Sequence, residues 1–262
     1  PWFLEPLLAW FWALVVFGVA GRQRRAVCDN LRALFPGSGG LVTLGRALRV
    51  FRTFAVVFLD ATRCEELGEE VDWAIDGVEN FDELAGGRGG CMILTAHMGN
   101  YDLAAPLFSA EFGRTVHAVR APERDPRMQE IRERELREWE QRHPGFKVHY
   151  NLPGGMLGME LAKILAAGDV VAVQGDRVMF DVSEAEVEVA GGRTLVLPRG
   201  HLVLAQATGV PCFPLFVLRD GWRRYRVVVK PELQLPRRRR GRDDGEALEI
   251  WAQALLCVVR EY

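Results

Sequence analysis

The chain has 262 residues, enough for one large α/β domain plus an accessory segment. Hydrophobic residues make up 49% and charged residues 26%, a balance that excludes both a disordered chain and a polytopic membrane protein. The formal net charge of -2 gives no overall attraction to nucleic acid. Cys28, Cys64, Cys91, Cys212 and Cys257 are scattered without a CxxC pair, which argues against a zinc site or a disulfide framework and suits a reducing compartment. They read as small buried core residues.

Residues 2–20 are apolar apart from Glu5 and carry Trp2, Trp10 and Trp12. A helix from about Leu7 to Ala20 would span roughly 20 Å, short of the ~30 Å hydrocarbon core. Residues upstream of Pro1 would complete a transmembrane span. Otherwise the helix lies in the interface, with Trp at headgroup level and Arg22, Arg24 and Arg25 toward an anionic cytoplasmic surface. A buried core helix is the plainer alternative, and a signal peptide fits less well because no small-x-small cleavage site follows. Residues 1–21 are therefore expected to form a membrane-anchoring or interfacial helix, and residues 22–262 one domain.

Within that domain, residues 22–67 are expected as an N-terminal helical layer: Val27, Leu31, Leu34 and Phe35 repeat at helical spacing, Pro36 and Gly37 break the helix, and residues 41–59 resume the period. Beyond Gly68 the pattern changes. A compact apolar run, 91–96, follows a glycine-rich turn, and similar runs fall at 116–119, 170–173, 195–197, 213–218 and 225–229. Helical stretches separate them at 105–112, 126–142, 156–167 and 202–208. Alternation of this kind predicts an α/β fold with a central, mostly parallel or mixed sheet flanked by helices. Arg237, Arg238, Arg239, Arg240 and Arg242 form a basic cluster that follows Pro236 and is interrupted by Gly241, read as a loop. It meets anionic lipid or an acidic carrier protein, or is simply solvated. The chain opens without an initiator Met and stops at Tyr262 inside a helical run, so truncation is expected at both ends.

Chemistry concentrates at two strand ends. In Leu94-Thr95-Ala96-His97-Met98-Gly99-Asn100-Tyr101-Asp102, a buried strand delivers a His to its carboxyl end, where α/β sheets place ligands. Asn100 reads as a helix N-cap, although Pro106 allows a later helix start near Ala105. With His97 in the loop and Asp102 past the cap, the chain can fold back so that the carboxylate meets one imidazole nitrogen, fixing the tautomer and leaving the other as a base. Backbone N–H groups near Gly99 and Asn100 would face a developing oxyanion. By spacing alone, a structural His at a helix start fits equally. The second strand end is Gln174-Gly175-Asp176-Arg177, where a guanidinium is placed to hold a phosphate or carboxylate. A surface loop fits that segment as well. Gly209-Val210-Pro211-Cys212-Phe213-Pro214 reads as a structural turn into a strand. No GxSxG elbow, GxxxxGK[ST] loop or GxGxxG turn is present, His143 and His149 lack partners at metal-ligand spacing, and His117 lies in an apolar run.

Together these segments resemble the bacterial lipid A biosynthesis acyltransferases, a branch of the lysophospholipid and glycerolipid acyltransferases. The likeness runs from RAVCDNLRALFP (25–36) through Ile75-Asp76-Gly77-Val78-Glu79-Asn80 to ILTAHMGNYD, where Tyr101-Asp102 stand in place of the family's more frequent Trp-Glu. It continues with Arg120 in VRAPERDP, where Ala121 and Asp125 depart from the family pattern, then Gly175-Asp176-Arg177 and GVPCFP. The resemblance implies transfer of a fatty acyl chain from an acyl carrier protein or CoA thioester to a hydroxyl of a membrane lipid, a lipid A precursor foremost. It implies residues 22–262 as the acyltransferase domain, His97 as base, Asp102 to orient it, and Gly99, Asn100, Arg120, Gly175, Asp176 and Arg177 in substrate binding. No metal or cofactor is called for, and the expected location is the cytoplasmic face of the bacterial inner membrane. Alternatives are another acceptor (phospholipid, aminolipid, glycolipid), thioester hydrolysis, or a non-catalytic lipid- or carrier-binding protein of the same fold.

Overall fold

The structure, a computed structural model, describes residues 4–67, 70–104, 111–152, 154–179, 182–189, 192–237 and 245–262. The chain divides into two compact units, one of residues 1–73 with 219–225 and one of residues 74–218 with 226–262.

The first unit is built on three helices, α1 (Glu5–Val19), α2 (Gly21–Leu34) and α3 (Gly40–Leu67). Pro6 sits in the first turn of α1, where its missing N–H costs nothing. Ala9 and Ala13 of α1 are fully buried, as are Ala55 and Val56 of α3, because small side chains allow two helices to approach closely. Glu5 is buried and ion-paired with Arg63 and Arg223, which offsets the cost of removing its charge from water. The remaining faces are apolar and open: Leu7, Phe11 and Val19 on α1, and Leu41, Phe54 and Phe58 on α3, are each more than 60% exposed. Guanidinium groups border this surface, Arg24 over Phe17, Arg46 over Phe35 and Arg52 over Trp10. Among the described residues no single helix is long and apolar enough to cross a membrane. The α1–α2 pair passes that test together, but it bends by 97° at the break.

The second unit is organised by a seven-stranded sheet in the order β1-β9-β8-β2-β5-β3-β4. Its strands are β1 (Asp72–Asp76), β2 (Cys91–Thr95), β3 (Val116–Arg120), β4 (Phe146–Tyr150), β5 (Val170–Gln174), β8 (Cys212–Gly221) and β9 (Arg224–Val229). Pairings β2–β5, β2–β8, β3–β4 and β3–β5 are all parallel. Helices α4 (Val78–Gly86), α5 (Pro126–Arg142), α6 (Leu157–Ala167), α7 (Gly200–Thr208) and α8 (Gly245–Glu261) flank it. The α/β fold with a mostly parallel central sheet agrees with the sequence pattern.

Several boundaries differ from that pattern. The run 195–197 lies in β7 (Arg193–Pro198), which pairs antiparallel with β6 (Glu184–Val189) in a separate two-stranded sheet. The turn after His97 is helical from Tyr101 to Ala104, so the helix starts before Ala105. Residues 105–110 lie outside the described residues, as do Arg238, Arg239, Arg240 and Arg242 of the basic cluster. Cys28, Cys91 and Cys212 are buried, but Cys257 is exposed on α8.

Period-two alternation gives the sheet two different faces. Met92, Leu94, Val171 and Phe216 join the main core with Leu202, Leu248 and Trp251. Their neighbours Ile93, Thr95, Ala172, Leu215 and Val217 line a cavity that Leu161 and Leu204 of the same core also border.

Candidate active site

Strands β2 and β5 run in parallel with Thr95 opposite Gln174, and the N–H of Gly175 donates to the Thr95 carbonyl at 2.9 Å. Both strands therefore release the chain at the same level. Two residues beyond each end, His97 and Asp176 meet: Nδ1 of His97 lies 2.8 Å from Oδ1 of Asp176. A carboxylate only accepts, so Nδ1 carries the hydrogen and Nε2 keeps its lone pair. Burial alone would raise the Asp176 carboxyl. The hydrogen bond and charge of His97, with backbone N–H groups of His97 and Asp176, outweigh it and hold the group below the ordinary carboxylate range. Nη2 of Arg177 stands 3.4 Å from Nε2 of His97 and 2.8 Å from the sulfur of Met179.

The loop after β2 explains where Asp102 goes. Gly99 has φ +55°, and a Cβ there would run into the backbone oxygen of Val217, so the position requires glycine. This turn brings the edge of the Tyr101 ring against His97, with centroids 5.5 Å apart. Burial first, then the Asp102 charge, push the Tyr101 hydroxyl above its ordinary pKa, and Gln174 hydrogen-bonds it. Asp102 is the next residue on the helical turn and projects elsewhere. Its half-exposed carboxylate pairs with Arg120 at the end of β3. The expected His97–Asp102 contact is thus replaced by His97–Asp176 and Asp102–Arg120. One step around a helix turns Asp102 away from the imidazole, and the register of two parallel strands delivers Asp176 instead.

His97, Asp102, Arg120 and Arg177 all line one cavity of about 590 Å³, within the usual range for small-molecule sites. Its inner walls are apolar, formed by Ile93, Val116, Phe146, Leu161, Leu204 and Val217. Gly175 and Asp176 follow β5, with Asp176 at Nδ1 of the imidazole, and Gly99 and the buried Asn100 lie in the turn after His97. Among the described residues no group of three or more His, Cys, Asp or Glu side chains is gathered as metal ligands.

Four neighbours are not among the site residues read from the sequence: Tyr101, Gln174, His201 and Trp251. His201 of α7 lines the cavity and is buried, and desolvation takes its imidazole down to about 4 against the opposing charge of Asp176. The indole N–H of Trp251 donates to the Gly175 carbonyl at 2.8 Å. Only a turn-initial His in "PRGH" and a lone Trp on an amphipathic helix announced these two.

The arrangement supplies a tautomer-fixed imidazole, a guanidinium beside its free nitrogen, a second arginine across the cavity, and apolar walls. A comparison with the curated proteins gave no match. The model of the bacterial lipid A biosynthesis acyltransferase family matches residues 11–259. With the match running over almost the entire sequence, the chain belongs to the bacterial lipid A biosynthesis acyltransferase family.

Proposed function

We propose that the protein transfers a fatty acyl chain from a carrier thioester, acyl carrier protein or CoA, to a hydroxyl of a lipid A precursor. The observation that carries this reading is the His97 imidazole, held at Nδ1 by Asp176, on the wall of an apolar cavity beside Arg177. Nε2 takes the proton of the acceptor hydroxyl, and the oxygen attacks the thioester carbonyl carbon. The carbon–sulfur bond then breaks, and the departing sulfur receives the proton from the imidazolium. Asp176 stabilises that imidazolium, a role of general base catalysis typically worth about 10²–10⁴ in rate. Arg177 moves from Nε2 as the hydroxyl arrives and, with Arg120, holds phosphate or the developing oxyanion. Asp102 acts on Arg120, keeping its guanidinium over the cavity mouth.

The donor and acceptor meet at a membrane, and the first unit is suited to one. The open apolar faces of α1 and α3 enter the interface, and Arg24, Arg46 and Arg52 reach anionic headgroups, at about 1 kcal/mol for each basic residue near the surface. A thioester donor and a basic rim together favour the cytoplasmic face of a bacterial inner membrane. Transfer onto a phospholipid, aminolipid or other glycolipid uses the same chemistry.

The test is direct. Purified protein is incubated with acyl carrier protein thioester and a lipid A precursor in mixed micelles, with products read by mass spectrometry. A mass gain of one acyl chain on the precursor supports the proposal. Free thiol release at an undiminished rate without any acceptor would point to a hydrolase, and no turnover of either kind to a binding protein.

A further inference from the structure

Asp176 is set by its surroundings, and those surroundings lead to the C-terminal helix. Trp251 of α8 is fully buried, and its Nε1–H donates to the carbonyl of Gly175, itself buried, at 2.8 Å. The Phe216 ring lies parallel to the indole at 4° with centroids 6.0 Å apart, and the His201 ring meets it edge-on. The indole plane is therefore fixed from two sides. A Cβ at residue 175 would stand 2.7 Å from Nε2 of His201 and 3.0 Å from Nε1 of Trp251, so glycine is what lets the two rings close on the peptide. Toward the sheet, the Gly175 N–H is tied to the Thr95 carbonyl. Gly175 is thus fastened on both sides, the peptide before it by its N–H to β2 and the peptide joining it to Asp176 by its carbonyl to α8.

We infer that Trp251 is a positioning residue for acyl transfer: its indole N–H aims the Asp176 carboxylate at His97 through the Gly175 carbonyl. Trp251 does not touch the reacting atoms. Without its N–H, the Gly175 carbonyl loses its buried partner and the peptide is free to rotate, taking the carboxylate off Nδ1. The inference rests on His97–Asp176 being the working pair.

Trp251→Phe removes the donor and keeps an aromatic, though smaller, ring in place. The expected result is a kcat lower by about tenfold, a KM for both substrates within about twofold, and a normal unfolding transition. The decisive arm is the double variant. In an Asp176→Asn background, Trp251→Phe is expected to add less than about twofold, since its route to His97 is already broken. A full tenfold loss in that background would overturn the positioning role and leave Trp251 as a packing residue. So would an unchanged kcat in the single variant. Failure of the underlying reading shows separately: Asp176→Asn alone would then leave kcat intact, whatever Trp251→Phe does. Should Trp251→Phe unfold, Trp251 replaced by 7-azatryptophan or benzothienylalanine separates donor from ring, and the benzothiophene alone is expected to lose rate.

Discussion

Oδ1 of Asp176 lies 2.8 Å from Nδ1 of His97, and the two residues come from separate strands, each two positions past its end. The parallel register of β2 and β5 thus assembles a base from segments 79 positions apart in the chain. Asp102, five residues from His97 in sequence, is instead committed to Arg120.

His97→Ala is expected to reduce transfer by at least about 10²–10³ with the fold retained. The check is a rate measurement with mass-spectrometric product analysis, alongside a thermal unfolding curve. A variant that still transfers at near the native rate would contradict its role as base.

Arg177→Ala and Arg120→Ala are expected to raise the KM for a phosphorylated acceptor by roughly 10- to 100-fold, the worth of a charge-assisted hydrogen bond. The KM for a dephosphorylated acceptor should change little. Kinetics with both acceptors measure the difference, and equal changes for the two would remove the clamp role.

Stability should depend on pH through His201. Its folded-state pKa, about 4, lies below the ordinary value of 6.5 because burial disfavours the charged ring. The unfolded chain therefore binds the proton more readily. The associated stability is complete above about pH 6.5 and is lost progressively as pH falls toward 4, by roughly 3 kcal/mol for this fully buried group. His117, whose imidazole is also lowered by burial and by the neighbouring His149, adds in the same direction. Denaturant unfolding between pH 4 and 7 should show this slope, and His201→Leu should flatten most of it.

Membrane docking is expected to weaken on Phe54→Ser with Phe58→Ser, since each phenyl contributes about 1.5–3 kcal/mol when moved from water into an apolar medium. Co-sedimentation with vesicles containing anionic lipid measures it. Binding should also fall with salt, and retention of full binding by the double variant would shift the contact away from α3.

Much of this fold is legible in the sequence. The apolar runs at 91–96, 116–119, 170–173 and 213–218 are buried strands because a parallel sheet covers both faces and leaves no polar alternation. For the opposite reason β4 (Phe146–Tyr150) and β6 (Glu184–Val189) escaped notice: Phe-Lys-Val-His-Tyr and Glu-Ala-Glu-Val-Glu-Val alternate, as edge and hairpin strands with one wet face do. Both strand-end segments were visible as chemistry, but their pairing was not. Strand order and register decide that Asp176 rather than Asp102 reaches His97, and neither is written in local periodicity. His201 and Trp251 were invisible for the same cause, lying on α7 and α8 and reaching Gly175 only through tertiary packing.

The most direct measurement is kcat at saturating donor and acceptor for Asp176→Asn beside Asp102→Asn. Asp176→Asn is expected to lower kcat by about 10²–10⁴, while Asp102→Asn changes kcat by less than about tenfold and acts mainly on acceptor KM. The reverse order, with Asp102→Asn abolishing turnover and Asp176→Asn nearly native, would contradict this.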